Sequence, residues 1–172
     1  VYGYIRIPTY SVSENEVREL EKIIVKMQTD TSALVIDQMN NGGGSAFFLY
    51  NVLSYIVKQP TAIPKHFCTL TQEDVFESLL DISILESLQS DQEARDLLGD
   101  AFGGYPIDLK FAKSLQKYLM EQLLTWSNGK TTTDAIALFG VDTVYPRNNG
   151  YKKPILVLTN PLDFSCADFL PA

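Results

Sequence analysis

Two cysteines and one histidine are all the sequence holds of thiol and imidazole side chains. That excludes a structural zinc site built from four such ligands, and no metal-ligand spacing is present. Cys68 and Cys166 are too few for a disulfide framework, and sequence alone leaves open whether they pair. Positive charge is also scarce. The chain carries 14 Lys and Arg against 21 Asp and Glu, a net charge of −7, with no basic run. This balance argues against nucleic acid or an anionic membrane surface as a partner. No apolar run reaches the roughly 20 residues needed to span a bilayer, so no membrane insertion is expected.

What is present suits a folded domain. The chain has 172 residues, 45% of them hydrophobic, with nine Tyr, nine Phe and one Trp. That is enough for one domain, or a large part of one, with a real core. Val1 opens in what reads as mid-strand and Phe169-Leu170-Pro171-Ala172 closes on an apolar note, so the expectation is a piece cut from a longer chain.

Tyr2 to Ile7 reads as a strand ended by Pro8. Ser13 and Glu16 form a capping box ahead of Val17, Leu20, Ile23, Ile24 and Met27 at helical spacing. Ala33 to Ile36 is a short unbroken apolar run, typical of a buried parallel strand. Strand, helix and strand at this spacing predict a right-handed βαβ unit. Ala46 to Val57 reads as a helix. Thr61 to Thr69 is extended but interrupted by prolines. Thr71 to Ile82, Asp91 to Leu98 and Asp108 to Ser127 read as helices, with Val75, Leu79, Leu80 and Ile82 as the apolar side of the first. This block, about 71–129, has the look of a helical insertion between sheet strands. Thr131 to Gly150 reads as an irregular connection with one extended piece at Ala135 to Phe139, and Ile155 to Leu158 as the last strand.

Two strand ends carry unusual loops. Asp37 to Ser45 reads Asp-Gln-Met-Asn-Asn-Gly-Gly-Gly-Ser, directly after a buried strand and before a helix. Its glycines permit positive φ and close approach of a substrate chain. It lacks the Lys-Ser or Lys-Thr of a phosphate loop, and the alternative is a flexible turn with a helix cap. The second loop is Thr159-Asn160-Pro161-Leu162-Asp163-Phe164-Ser165, which leads into Cys166-Ala167-Asp168. Strand, tight turn, serine and helix can expose a nucleophilic hydroxyl, and the amides behind it can stabilise an oxyanion. The alternative is that Ser165 is simply an N-cap. In a parallel sheet both loops fall on one edge, where open α/β sheets bind ligands, and amides beside a hydroxyl suit acyl transfer. His66 is a base by chemistry, but no carboxylate stands beside it, and an exposed structural histidine is the simpler reading.

A strand ending in Asp37, then Asn40-Asn41, Gly42-Gly43-Gly44 and Ser45, with a later apolar strand and Ser165-Cys166-Ala167-Asp168, resembles peptidase family S41, the tail-specific or carboxy-terminal processing serine peptidases. The resemblance to one branch of that family covers nearly the whole chain. It includes Tyr2-Gly3-Tyr4-Ile5-Arg6-Ile7, Ile36-Asp37-Gln38, Pro64-Lys65-His66, Glu93-Ala94-Arg95 to Gly99-Asp100, and Asp163 to Phe169. It implies that residues 1–172 form part of a crotonase-like α/β peptidase core with a helical insertion, acting without a cofactor on protein or peptide substrates. Ser165 matches the nucleophile, and the backbone amides of Gly43 or Gly44 and of Cys166 match the oxyanion hole. In this branch the base is an upstream histidine assisted by a downstream glutamate, and in other branches a downstream lysine; all lie outside these residues. His66 does not match the catalytic histidine. Gly42 stands where the branch has proline.

The branch is secreted from a bacterium into the host cytosol as a virulence factor. It matures from a zymogen by self-cleavage and works as a homodimer with its fragments held together. The expectation is therefore the core of a serine endopeptidase, inactive as this piece alone. The rival is a non-catalytic binding module on the same fold. Acyl-CoA chemistry is disfavoured by the lack of a basic cluster for nucleotide phosphates.

Overall fold

The computed structural model describes residues 1–171. In chain order the elements are β1 (Tyr2–Arg6), α1 (Glu14–Asp30), β2 (Ala33–Asp37), α2 (Ala46–Ile56), β3 (Thr61–Ala62), β4 (Lys65–His66), α3 (Gln72–Ser87), α4 (Asp91–Leu98), β5 (Ala101–Phe102), β6 (Tyr105–Pro106), α5 (Leu109–Ser127), β7 (Ile136–Ala137), β8 (Thr143–Val144) and β9 (Ile155–Leu158). Single 3₁₀ turns lie at Leu138–Gly140 and Ser165–Phe169. The mixture of parallel strands and helices is α/β. The chain divides into two compact units, Val1–Ala62 with Phe102–Tyr105 and Thr143–Ala172, and Ile63–Ala101 with Pro106–Asp142.

The first unit is built on a three-stranded parallel sheet of order β1-β2-β9. Its βαβ unit starts as the sequence predicts. Ser13 and Glu16 close a reciprocal capping box at the head of α1, each side chain bonded to the other residue's backbone N–H. This satisfies two of the donors that a helix start leaves open. Leu20 and Ile24 of α1 are buried, as are Leu34 and Ile36 on one face of β2. Helix α2 is buried along almost its whole length, which explains its unbroken apolar composition. Arg147 anchors the returning chain to α2: its guanidinium donates to Ser54 Oγ (3.0 Å) and Asn51 Oδ1 (2.8 Å) and lies 4.6 Å from the Tyr55 ring centroid. The register Leu34↔Ile155 to Asp37↔Leu158 makes β2 and β9 direct parallel neighbours. The loops that follow them therefore leave the same edge of the sheet.

The second unit contains α3, α4 and α5 with the small β4–β7 pair. Each helix starts on a side-chain cap, from Thr71, Ser90 and Asp108. On α3 the buried residues are Ser78 and Leu85, while Leu79 and Leu80 stay about half exposed. Of the apolar side expected from the sequence, Val75 and Ile82 are part-buried beside the packed face, while Leu79 and Leu80 lie off it. Ser78 Oγ donates to Gln122 Oε1 of α5 (3.2 Å), so a polar pair sets the contact and turns Leu79 and Leu80 outward. The expected extended piece at Ala135 to Phe139 shrinks to β7, since the chain enters a 3₁₀ turn at Leu138 in which Phe139 takes φ 54°. The connection expected to be irregular contains β8, paired with β3 in the first unit. Two-residue strands are too short to show periodicity in sequence.

Candidate active site

The polypeptide leaves β2 at Asp37, a buried carboxylate held by Tyr4 Oη, by Arg6 Nη1 (2.6 Å) and by the Met39 amide (3.0 Å). The Tyr4 hydrogen bond, with those from Met39 and Arg6, holds the Asp37 carboxyl below the usual carboxylate range. The loop that follows is organised from inside. Gln38 and Asn41 are both fully buried. Gln38 accepts from Tyr10 Oη (2.8 Å) and donates to the Ala167 carbonyl (2.8 Å). Asn41 donates to the Ile7 carbonyl (2.9 Å) and accepts from the Gly43 amide (2.8 Å).

The loop after β9 is tied to the first one side chain by side chain. Asp163 accepts from the Asn41 amide (3.1 Å) and the Asn160 amide (3.0 Å). Asn160 accepts from the Asn40 amide (3.1 Å) and donates to Asn40 Oδ1 (2.9 Å). The Phe164 amide then donates to the Asn41 carbonyl (2.9 Å). Gln38, Asn41, Asn160 and Asp163 escape a sequence reading because Asn and Asp are ordinary turn residues. Burial of two amide side chains beside a glycine run is what marks them, and burial is not visible in sequence.

Ser165 lies at the end of this network, exposed, at φ 58°. It is not the N-cap of the turn: Phe164 occupies that position, and no side chain caps it. A left-handed φ on a non-glycine residue costs on the order of 1–3 kcal/mol and persists only where the surroundings over-determine it. Here they do, on both sides. Phe164 is fixed on Asn41, the Ala167 amide donates to the Phe164 carbonyl (3.2 Å), and buried Ala167 is held by Gln38.

Gly43 (φ 89°) and Gly44 (φ 141°) lie against this serine turn. A Cβ on Gly43 would sit 2.6 Å from Ser165 Cβ and 2.8 Å from the Phe164 carbonyl oxygen, and one on Gly44 would sit 2.3 Å from the Ser11 amide nitrogen. Gly44 forms a parallel bridge with Tyr10, closed by Tyr10 N–H to the Gly43 carbonyl (2.8 Å) and Ser45 N–H to the Tyr10 carbonyl (3.1 Å). The Gly44 carbonyl accepts from the Cys166 thiol (3.1 Å). Burial raises the Cys166 pKa, while hydrogen bonds from Ser165 and from the Gly44 and Cys166 backbones act against it. The thiol is neutral and inaccessible, and it serves as a packing group behind the serine.

Of the amides singled out from the sequence, Gly43's is used by Asn41. Those of Gly44 and Cys166 bond to no oxygen among the described residues, and both face the Cys166 sulfur. No histidine, lysine or carboxylate is bonded to the Ser165 hydroxyl among them either. Both cysteines are free thiols. His66 is half-buried rather than exposed: its Nε2 lies 3.1 Å from Cys68 Sγ, which in turn lies 3.2 Å from Tyr118 Oη, and burial lowers its pKa. No group of three or more His, Cys, Asp or Glu suited to a metal ion occurs among the described residues, nor any helix long and apolar enough to cross a membrane.

Known proteins share this arrangement of chain. The model of peptidase family S41 matches residues 1–172. An uncharacterized protein of Chlamydia muridarum is 43% identical over 181 residues, covering 99% of this chain and 30% of that protein. A protein of Chlamydia trachomatis is 41% identical over 180 residues, covering 98% of this chain and 30% of that protein. The crystal structure of mature CPAF, the chlamydial protease-like activity factor, superposes with a TM-score of 0.90 at 40% identity, over 99% of this chain and 34% of that one. Mature CPAF complexed with lactacystin gives 0.89 at 40% identity, over 99% and 35%. The chain spans about 30% of the length of these curated relatives.

Proposed function

The chain belongs to peptidase family S41, and on that premise we propose that it carries the nucleophile and oxyanion hole of a serine endopeptidase. The observation that carries the reading is Ser165 itself. It is exposed, held at φ 58°, without a capping role, and pressed against Gly43 beside two amides that bond to no oxygen. The likeness to CPAF, solved as a lactacystin complex, supports it.

In this reading Ser165 Oγ attacks the carbonyl carbon of the scissile peptide bond and its proton passes to a base. The N–H groups of Gly44 and Cys166 hold the oxygen as it gains charge in the tetrahedral intermediate. Donors aimed at that oxygen are worth roughly 10²–10³ in rate each. The leaving amine departs with the proton, and water then releases the acyl group from Ser165. By the resemblance, the base is a histidine from another part of the parent polypeptide, assisted by a glutamate. The substrate lies extended against a strand edge, where main-chain hydrogen bonds supply affinity without a long sequence motif.

The finer fold reading is a crotonase-like core interrupted by a helical insertion, since the chain leaves the first unit after Ala62 and, apart from Phe102–Tyr105, returns to it only at Thr143. By the same resemblance we also propose that the parent is a secreted bacterial protease, homodimeric and matured from a zymogen with its fragments held together, and acting as a virulence factor in the host cytosol.

The test uses the full-length parent and its Ser165→Ala variant, both treated with a fluorophosphonate probe and mapped by peptide mass spectrometry. Label on Ser165, lost in the variant, is the expected result. A folded, processed parent that takes no label would overturn the reading and leave a binding module.

A further inference from the structure

We propose that Asn41 is the positioning residue of this site. Its buried side chain sorts the amides of the glycine loop, removing Gly43 N–H from use and leaving Gly44 N–H, with Cys166 N–H, to meet the oxyanion. The inference rests on Ser165 being the nucleophile and adds the residue that arms the hole.

Asn41 is fully buried and all its polar groups are engaged. Its side-chain NH₂ donates to the Ile7 carbonyl at the end of β1 (2.9 Å), and its side-chain oxygen accepts from Gly43 N–H (2.8 Å). Its own N–H donates to Asp163 Oδ1 (3.1 Å) and the Gln38 carbonyl (2.9 Å). Its carbonyl accepts from the Phe164 amide, one residue before the serine (2.9 Å). One residue thus fastens the end of a strand, the glycine loop and the serine turn to each other. With Gly43 N–H turned onto Asn41 and the Gly43 carbonyl on Tyr10 (2.8 Å), the bridge sets Gly44 against Cys166, whose thiol donates to the Gly44 carbonyl (3.1 Å).

The site needs a side chain that is donor and acceptor at once. An amide provides both, an ionised carboxylate only accepts, and leucine does neither. A protonated carboxyl again provides both. The titratable groups around the position are Asp163 on the Asn41 amide, the Cys166 thiol at Gly44, and Tyr10 on Gln38. Burial and the neighbouring Asp163 carboxylate would raise the pKa of a carboxyl introduced there.

The experiment measures the rate at which a fluorophosphonate labels Ser165 in the full-length parent, across pH, for the unsubstituted protein, Asn41→Asp and Asn41→Leu. The expected result is a loss of about 10²-fold for both variants at pH 8, the scale of one oxyanion donor. Relative to the unsubstituted protein, the deficit of Asn41→Asp shrinks as pH falls while that of Asn41→Leu does not. A merely structural role would not produce that recovery. Labelling within about threefold of the parent for both variants, or equal deficits at every pH, overturns the proposal. Should neither variant fold, hydrogen exchange resolved to single amides in the unsubstituted parent decides. Gly43 N–H should be protected with and without probe, and Gly44 N–H should slow at least tenfold once Ser165 is modified. The reverse pattern overturns the proposal. No label on Ser165 in the unsubstituted parent overturns the nucleophile reading itself, and this inference with it, which is a different result from label that ignores Asn41.

Discussion

Adjacent glycines in the loop after β2 answer to different constraints. Gly43 combines φ 89° with van der Waals closeness to Ser165 and the Phe164 carbonyl, so a methyl group there meets backbone as well as side chain. Gly42 keeps an ordinary φ, and a Cβ there meets nothing within 4 Å. Gly43→Ala should lower stability by about 1–3 kcal/mol through left-handed strain and abolish Ser165 labelling in the parent. Gly42→Pro should instead raise stability by about 0.4–1 kcal/mol by narrowing the unfolded ensemble, with labelling kept. Urea unfolding and probe labelling of the two variants check this. Equal effects at both positions would show that the loop is generic rather than shaped around the serine. Kept labelling in Gly42→Pro would show that the proline of the related branch is compatible with this loop.

At the scale of elements, the end of β2 is fixed by charge as well as by register. Tyr4 and Arg6 of β1 both reach Asp37, across the register Arg6↔Asp37. The Asp37 carboxyl is held below its ordinary value, first by the Tyr4 hydrogen bond. A group whose pKa is depressed in the folded state adds stability that is present above its unfolded pKa, near 3.9, and is lost as pH falls through the folded value. Thermal melting should therefore be nearly flat from pH 7 to 5 and fall steeply below about pH 4. Glu16 and Asp74, lowered by the backbone and hydroxyl bonds of their capping boxes, contribute in the same direction. Asp37→Asn isolates the strand-end term: it should lower the melting temperature at pH 7 and lessen the acid dependence. An unchanged acid slope in that variant would contradict the assignment.

At the scale of the whole chain, on the proposed reading of the site, the described residues supply an exposed nucleophile and oxyanion amides, and no base is bonded to the serine among them. The sheet is similarly one-sided: Tyr2, Tyr4 and Leu156 share its second face and stand more than half exposed, whereas parallel sheets are ordinarily covered on both faces. The 172-residue chain on its own should therefore be inactive, since a serine stripped of its base loses most of its nucleophilic power. It should also self-associate through that apolar face. Sedimentation velocity should show concentration-dependent association that Leu156→Lys reduces, and peptide hydrolysis should be absent with or without Ser165→Ala. Ser165-dependent turnover by this chain alone would refute the division of the site.

What the sequence determined by itself is local or periodic. The βαβ unit could be read because capping chemistry and apolar spacing act within a few residues, and the glycine run and the serine turn stood out as strand-end loops. The same reasoning misplaced Leu79 and Leu80 on α3, where Ser78 meets Gln122 of another helix, and missed β8, whose two residues take strand form only by pairing with β3. It also left Ser165 poised between cap and nucleophile, and Gly43 level with Gly44. Tertiary structure removes the cap, since Phe164 takes that position, and shows that the Gly43 amide is the one already bonded, to Asn41. The φ of Ser165 is imposed by Asn41 and Gln38, more than 120 residues earlier in the chain. The engagement of Gly43 N–H depends on Asn41 being buried with its amide anchored on Ile7. Hydrogen bonds between residues that distant form only once the sheet has brought two loops to one edge, and no pattern along the chain encodes which amide they leave open.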